Sequence, residues 1–530
     1  MLITSPGLLF LIALHQKPSL PILVGFILSV LKKVEPFLDF RKQYLKMTAN
    51  NTSLSKFEIS TKQPLFLLFA QRMRQHGLSE LAIEAFRQQY QQLVQQVPTT
   101  INESQLSFFK KVPDLEKLSD YSETGRQALA QTVMIKLNGG LGTGMGLDRA
   151  KSLLSVKDSR TFLDVIADHV VHFRKKYDVN FPLILMNSFK TEEDSLAALA
   201  RHPNLALSNL PLSFIQNQVP RISEQDLQPL DWPQNPPLAW CPPGHGNIYT
   251  ALVDTRLLQK LLALNYKYAY VSNADNLGSM LDLQILGYFA SSRASFMMEV
   301  ADRKEGDRKG GHLGRYKNGR WMLRELAQCP ADELDQFQDI TRHAYFNTNN
   351  IWWYLPRLWE VLKQHNFIMK LPLICNQKIV DPFQPNSPKV YQLETAVGSA
   401  LELFEDAQVI RVPRSRQIAV KHWSELIVVR SDAFVTAADG LIVLNPVCKG
   451  HQPLLKLDER FYKFEQDIVS HFPQGLPSLS QCYSLEIKGN FVFGKNVTIC
   501  GKTRLIAKNP DSDAPVYIPD HSFLTGDIQI

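Results

Sequence analysis

The stretch KLNGGLGTGMGLDRAKS, residues 136–152, places five glycines between positions 139 and 146 and follows them with Lys151. Backbone without Cβ atoms lets a flat or anionic group lie against the chain. Successive N–H groups in such a turn make an anion-binding concavity. A lysine at its far end adds a mobile point charge suited to phosphate. These residue types point to phosphate-binding chemistry, and spacing excludes two familiar forms of it. A Walker A loop, G-x-x-x-x-G-K-[ST], ends as Lys151–Ser152 does, but Met145 and Ala150 stand at its glycine positions. The dinucleotide pattern G-x-G-x-x-G is broken in all three registers, by Met145, Leu147 and Arg149. Asp275 is a second candidate, a short acid just after the apolar run Tyr268–Val271. Ligands of open α/β sheets collect at the carboxyl ends of strands, although an aspartate there also serves simply to cap a turn.

These groups need elements to position them. Val133–Leu137 is a short apolar run that stops at the glycines, the pattern of a buried strand entering a turn. Further strands are expected at Leu183–Met186, Tyr268–Val271, Phe296–Val300, Ile351–Leu355 and Leu426–Val429, with helices at Phe162–Lys176 and Thr255–Tyr266. Phe66–Val97 also reads as helical. Alternating strands and helices predict an α/β domain with a mostly parallel sheet. After Gly450 the texture changes. Leu457–His471 reads as a last helix, and Gly489, Gly494 and Gly501 then divide short apolar runs. That punctuation predicts stacked short strands, as in a small β-helix, with an antiparallel meander as the alternative.

At 530 residues the chain is long enough for two or three domains. Its net charge of +7 is spread without a long Lys/Arg run, which argues against a nucleic-acid partner. No two of the six cysteines have CxxC spacing, so a reducing, cytoplasmic setting fits better than a disulfide or zinc framework. Residues 1–31 contain no acid, and the apolar run Leu20–Leu31 is shorter than the ~20 residues a spanning helix needs. Three readings are open for it: a membrane anchor, a helix packed on the protein, or an unstructured extension before a start near Met47. The third is the expectation, and any membrane contact would fall to residues 1–33.

The glycine loop resembles that of the nucleotidyltransferases that make sugar nucleotides, and LNGGLGTGMG is similar to UDP-glucose pyrophosphorylases in particular. Other blocks recur in that family's order: LMNSFKT (185–191), FIQNQVP (214–220), WCPPGHGNIY (240–249), VSNADNLG (271–278), RKGGHL (308–313), FNTNNIWW (346–353), LPLICNQKIVD (371–381), QLETAVGSA (392–400) and VPRSRQIAVK (412–421). The resemblance implies a Rossmann-like nucleotidyltransferase domain over 48–435, with a helical part at 48–125. It implies a small β-helix-like domain over 436–530, behind an apolar extension at 1–47. The runner-up is a UDP-N-acetylhexosamine or broad-specificity UDP-sugar pyrophosphorylase. The hexosamine branch reads GGxGTRLG, whereas Gly144 follows Thr143 here. A nucleotide-sugar binding protein that lost turnover is the non-enzymatic alternative, and a membrane-attached assembly subunit is a third.

By that resemblance the substrates are UTP and glucose 1-phosphate and the cofactor is Mg²⁺, held by Asp275. Lys151 and Lys421 would be the catalytic lysines at the phosphates. Leu137, Asn138, Gly139 and Gly140 would lie along base and ribose, Gln216 would read the uracil edge, and Gly244 and Asn273 would complete the nucleotide wall. His245, Asn273, Gly311, Glu325, Asn347 and Asn349 would meet the sugar, His245 as a hydrogen-bond donor rather than an acid or base. Asn376 and Lys378 match a block near the sugar phosphate. Trp352 and Trp353 could stack on a sugar, but neighbours on a strand face opposite ways, so at least one belongs to the core. One departure stands out, because many members carry proline where this chain has Ala150. Oligomeric state is left open, with a homo-oligomer allowed.

Overall fold

Strand β1 (Thr132–Asn138) is buried along its whole length, as a strand covered on both faces must be. It lies near the centre of a nine-stranded sheet. This computed structural model describes residues 64–530, apart from 97–99, 110, 143–144, 148, 309, 383 and 385. The expectations for 1–47, the membrane question for 1–33, and Thr143 and Gly144 of the glycine loop lie outside the described residues.

The other strands of the sheet are β2 (Leu183–Asn187), β3 (Ser213–Ile215), β4 (Tyr268–Asn273), β5 (Phe296–Asp302), β6 (His312–Arg315), β7 (Trp321–Arg324), β8 (Tyr345–Tyr354) and β9 (Gln408–Arg411). They pair in the order β7–β6–β8–β4–β1–β2–β3, and β5 joins β8 to β9. All run in one direction except β7 and β8. The sheet is therefore mixed and mostly parallel, as the alternation of runs implies. In β1, Leu137 pairs with Asn273 of β4 and with Met186 of β2, so three parallel strands end side by side.

Three expected elements differ from the structure. Phe66–Val97 is two helices, α1 (Pro64–Gln75) and α2 (Glu80–Val94). Gly77, at φ +78°, ends the first, and Ser79 caps the second by accepting from Ala82 N at 3.0 Å. Phe69, Phe86 and Tyr90 of this pair pack into a cluster with Val219, Trp240 and Val390. Leu426–Val429, expected as a strand, lies inside a helix (Trp423–Arg430). All four residues are buried, so the run carries no amphipathic period, and a four-residue apolar run does not distinguish helix from strand. The last helix is confined to Glu465–His471, because Leu457–Phe464 is spent on turns that include Asp458 accepting from Arg460 and Gly489.

The C-terminal strands pair in parallel, not as a meander. Leu454–Lys456 pairs with Ser478–Lys488, which pairs with Thr498–Ile506 and then Phe523–Gln529, while Phe491–Phe493 pairs with Val516–Ile518. Parallel stacking of successive short strands is the β-helix pattern. One apolar cluster runs from Met134 and Leu185 under the sheet to Leu479, Ile499 and Leu505 in these coils. No described helix is long and apolar enough to cross a membrane.

Candidate active site

A cleft of about 300 Å³ opens at the carboxyl ends of β1, β2 and β4. Ten residues singled out from the sequence line it: Leu137, Asn138, Gly139, Gly140, Lys151, Gln216, Gly244, His245, Asn273 and Asp275. The glycine loop leaves β1 and returns through an isolated bridge between Leu141 and Ala150. Lys151 N donates to Gly140 O at 3.4 Å, which brings the lysine back beside the strand end.

Gly139 and Gly140 have different reasons to lack a side chain. A Cβ on Gly139 would sit 3.0 Å from Gln216 Cδ and overlap its amide nitrogen, so Gln216 is packed directly on the loop. A Cβ on Gly140 would meet nothing within 4 Å, which leaves that backbone bare toward the cleft. Gln216 is 5 % exposed and follows β3, with its N–H donating to Asn187 O at 2.8 Å. Asn138 is locked from behind, donating through Nδ2 to Asn187 Oδ1 (2.7 Å) and Ser195 Oγ (2.8 Å).

The opposite wall is the turn around Gly244, whose φ of +78° favours glycine. A Cβ there would also lie 2.6 Å from Thr395 O, so the turn is pressed against Glu394–Thr395. His245 Nδ1 accepts from Val397 N at 3.0 Å. The ring proton must therefore sit on Nε2. Burial, partly offset by Asp275, pushes the His245 pKa down to about 4. The ring is neutral near pH 7, with its single N–H at Nε2.

Lys151 Nζ lies 2.7 Å from Asp275 Oδ2. The other carboxylate oxygen has no hydrogen-bond partner among the described residues. Asp275 sits in a turn that Lys136 supports from below. Lys136 is wholly buried, and its Nζ donates to Ser272 Oγ and Ser279 Oγ, each at 2.9 Å, and to Ser279 O. Desolvation pushes the Lys136 pKa well down.

Nine residues named from the sequence stand outside the wall of this cleft: Lys421, Gly311, Glu325, Asn347, Asn349, Asn376, Lys378, Trp352 and Trp353. Most of them connect to it in stages. Asn349 Nδ2 donates to Asn273 Oδ1 at 2.8 Å, and Asn347 Oδ1 accepts from Asn349 N at 2.8 Å. Asn349 occupies the left-handed region at φ +60° within β8, where the register against β5 shifts. A bulge of this kind re-aims a side chain, and asparagine tolerates the conformation better than most residues. Gly311 lies against the Glu325 carboxylate. Burial pushes the Glu325 pKa up, and Lys421 pulls it back, so the two charges share one region. Lys421 itself is exposed, one residue after Val420, whose N–H donates to Asp275 O at 3.2 Å. Trp352 and Trp353 are both fully buried, and Trp352 Nε1 donates to Glu299, so neither offers a stacking face. Asn376 and Lys378 reach the site through Glu394, a cleft residue whose pKa burial raises while Lys378 and Asn376 lower it.

Six further residues line the cleft without having been singled out: Leu141, Ser152, Met186, Pro242, Ala274 and Glu394. Glu394 had a usable signal, its place in the QLETAVGSA block. The others are apolar or lie next to named residues, and only the fold gathers them.

The family model described as UTP–glucose-1-phosphate uridylyltransferase matches residues 83–500. The chain belongs to that family. A UTP–glucose-1-phosphate uridylyltransferase of Hordeum vulgare is 37% identical over 399 residues, covering 75% of this chain and 81% of that protein. The protein of the same name from Saccharomyces cerevisiae is 35% identical over 437 residues, covering 79% and 84%. Among solved structures, a mutant UDP-glucose pyrophosphorylase of Leishmania major in complex with UDP-glucose superposes with a TM-score of 0.83 at 38% identity, over 89% of this chain and 100% of that one. Family membership makes the cleft at the carboxyl ends of β1, β2 and β4 the candidate active site of a nucleotidyltransferase.

Proposed function

We propose that the protein joins UTP and glucose 1-phosphate to give UDP-glucose and pyrophosphate. The observation that carries this reading is the Lys151–Asp275 pair at 2.7 Å, set at the rim of a glycine-walled cleft in a chain of this family. A phosphate oxygen of the sugar attacks the α-phosphorus of UTP in line, and pyrophosphate leaves. The attacking phosphate is already ionised near neutral pH, since a phosphomonoester's second pKa is about 6. No general base is needed, which suits a site whose one lining histidine is neutral and a donor. The work is to hold two polyanions together and stabilise spread charge.

In this reading the uracil edge meets the Gln216 amide, which has both a donor and an acceptor. Ribose and base lie along Leu137–Gly140 and Gly244. Lys151 steadies the nucleotide phosphates and Lys421 the reacting ones, each as a point charge. Asn273, Asn349 and Asn347 form a relay of amides from cleft to sugar, with His245 Nε2, Glu325 and the bare backbone of Gly311 as further partners. The donor set fits a divalent ion: Asp275 has one oxygen unengaged, and a magnesium site commonly takes one or two carboxylates plus substrate phosphates and water. Mg²⁺, when bound there, would neutralise phosphate charge. The free thiols among the described residues favour a reducing compartment, hence the cytoplasm. The catalytic domain is taken as 48–435 and the β-helix-like domain as 436–530.

The test is pyrophosphate release from UTP with Mg²⁺, offering glucose 1-phosphate, galactose 1-phosphate and N-acetylglucosamine 1-phosphate in turn. Turnover fastest with the glucose ester is expected. Preference for the amino sugar would move the protein to the hexosamine branch, and no turnover with any would leave a binding protein.

A further inference from the structure

Asn276, next to the cleft aspartate, is 1 % exposed and uses all four of its side-chain hydrogen-bonding positions. Its Oδ1 accepts from Gly278 N (3.1 Å) and from Ile418 N (2.8 Å). Its Nδ2 donates to Arg416 O (3.2 Å) and to Gln417 Oε1 (3.0 Å). One of those bonds closes its own turn. The other three seize the segment Arg416–Ile418, well over a hundred residues away in sequence. The backbone adds an isolated bridge between Asn276 and Ala419 and the bond from Val420 N to Asp275 O. Lys421 is the next residue.

The far end of the segment is anchored separately. The Arg416 guanidinium is buried against Glu299, with Nε to Oε2 at 2.6 Å and Nη2 to Oε1 at 2.8 Å. Arg416 therefore fixes where the segment starts, and Asn276 fixes how it passes Asp275. The geometry points to Asn276 as a positioning residue that sets Lys421 against Asp275 and Lys151. This rests on the reading of Lys421 as a phosphate contact. Asn276 is buried beneath the turn and acts through the segment it binds. An exposed lysine at the end of an unclamped strand of chain would sample many positions, and a displacement of about 1 Å in such a site costs on the order of 100-fold in rate.

A mutant cycle with Lys421 separates positioning from plain stability. Asn276→Ala should lower kcat by about 10- to 100-fold, with KM for UTP changed less than threefold or so. The same substitution in a Lys421→Ala background should change the residual kcat by less than about twofold, because no lysine is left to misplace. Residual turnover of Lys421→Ala, reduced by about 100- to 1,000-fold, is measured with radiolabelled glucose 1-phosphate. Equal losses in both backgrounds, or no loss in the first, would overturn the assignment. Gln417→Ala removes one acceptor at a half-buried position and repeats the cycle with a smaller effect if Asn276→Ala does not fold. The reading itself fails on different arms: no turnover by the unmodified protein, or full turnover by Lys421→Ala.

Discussion

Replacing Gly139 by alanine tests the contact between the loop and Gln216, the proposed reader of the base. Position 139 does not need positive φ, so the backbone accepts alanine. The added Cβ would lie 3.0 Å from Gln216 Cδ and overlap the amide nitrogen. Relief requires the amide to retreat by roughly 1 Å, since carbon contacts settle near 3.5–4 Å. The amide is the free end of a flexible side chain, so it can move at little cost to folding. Loss of unfolded-state freedom at the former glycine offsets part of that cost, by about 0.4–1 kcal/mol. If Gln216 reads the uracil edge as proposed, the retreat breaks the alignment of two hydrogen bonds to it, each with a net contribution of about 0.5–1.5 kcal/mol. KM for UTP should therefore rise about 5- to 150-fold, while the melting temperature moves by a few degrees at most. Initial rates across a UTP series, with glucose 1-phosphate saturating, read the effect. Gln216→Ala should raise KM similarly, and the double variant should be no worse than either single one. An unchanged KM in Gly139→Ala, or losses that multiply in the double variant, would refute the argument.

Ala150 has φ −56°, and its N–H donates to no acceptor among the described residues. Ala150→Pro should thus be tolerated and stabilise by about 0.5 kcal/mol, read as a higher urea midpoint with turnover intact. Glu299→Gln leaves the Arg416 guanidinium buried beside a neutral amide and should cost about 3–5 kcal/mol in urea unfolding. His169 is 3 % exposed with Nε2 unpartnered, and burial, helped by Lys136, holds its pKa at about 3. Below pH 6.5 the unfolded chain takes up a proton that the folded ring refuses, so stability falls by about 1.4 kcal/mol per pH unit. His169→Leu removes that slope, and its stability relative to the parent should rise by about 2 kcal/mol between pH 6.5 and 5.

The parts of the fold that could be read in advance were those with one dominant signal. β1, β2, β4 and β5 are apolar runs with turn residues after them, the pattern a buried strand leaves in a sequence. Leu426–Val429 carried the same signal and is helix, because burial on all sides erases the period that separates the two. The cleft was legible where a residue's chemistry was local to a block, as with Lys151 and Asp275. Where a role depends on a distant partner it was not. Lys136 looked like part of a glycine motif and is a support for the Asp275 turn. Asn276 stood in the VSNADNLG block with no role assigned, and it binds the segment Arg416–Ile418. Nothing in their immediate neighbours announces those partners.

Unsatisfied polar atoms sharpen the boundary between support and site, but only in combination with position. Beneath the cleft, three supports have their valences filled: Lys136 has three acceptors, Asn276 four bonds, and the Glu299 carboxylate binds Arg416, Asn350 and Trp352, although Asn187 Nδ2 and Asn350 Oδ1 are unpartnered. At the cleft and beside it they are left over: one oxygen of Asp275, and Asn349 Oδ1, which is buried without a partner in a left-handed bulge. Leaving such an atom unpaired costs about 1–3 kcal/mol, and strain of this kind adds of order 1–3 kcal/mol more. Orphaned atoms alone do not mark function, since His169 Nε2 and Trp353 Nε1 are also unpartnered and line no cleft. Asn349 differs because its other amide atom is already committed to Asn273, a cleft residue, so its free oxygen has a fixed direction. In the function proposed above, the donor that this strained, unsatisfied and fixed oxygen would receive is a sugar hydroxyl, and Asn349→Ala should then raise KM for glucose 1-phosphate more than KM for UTP.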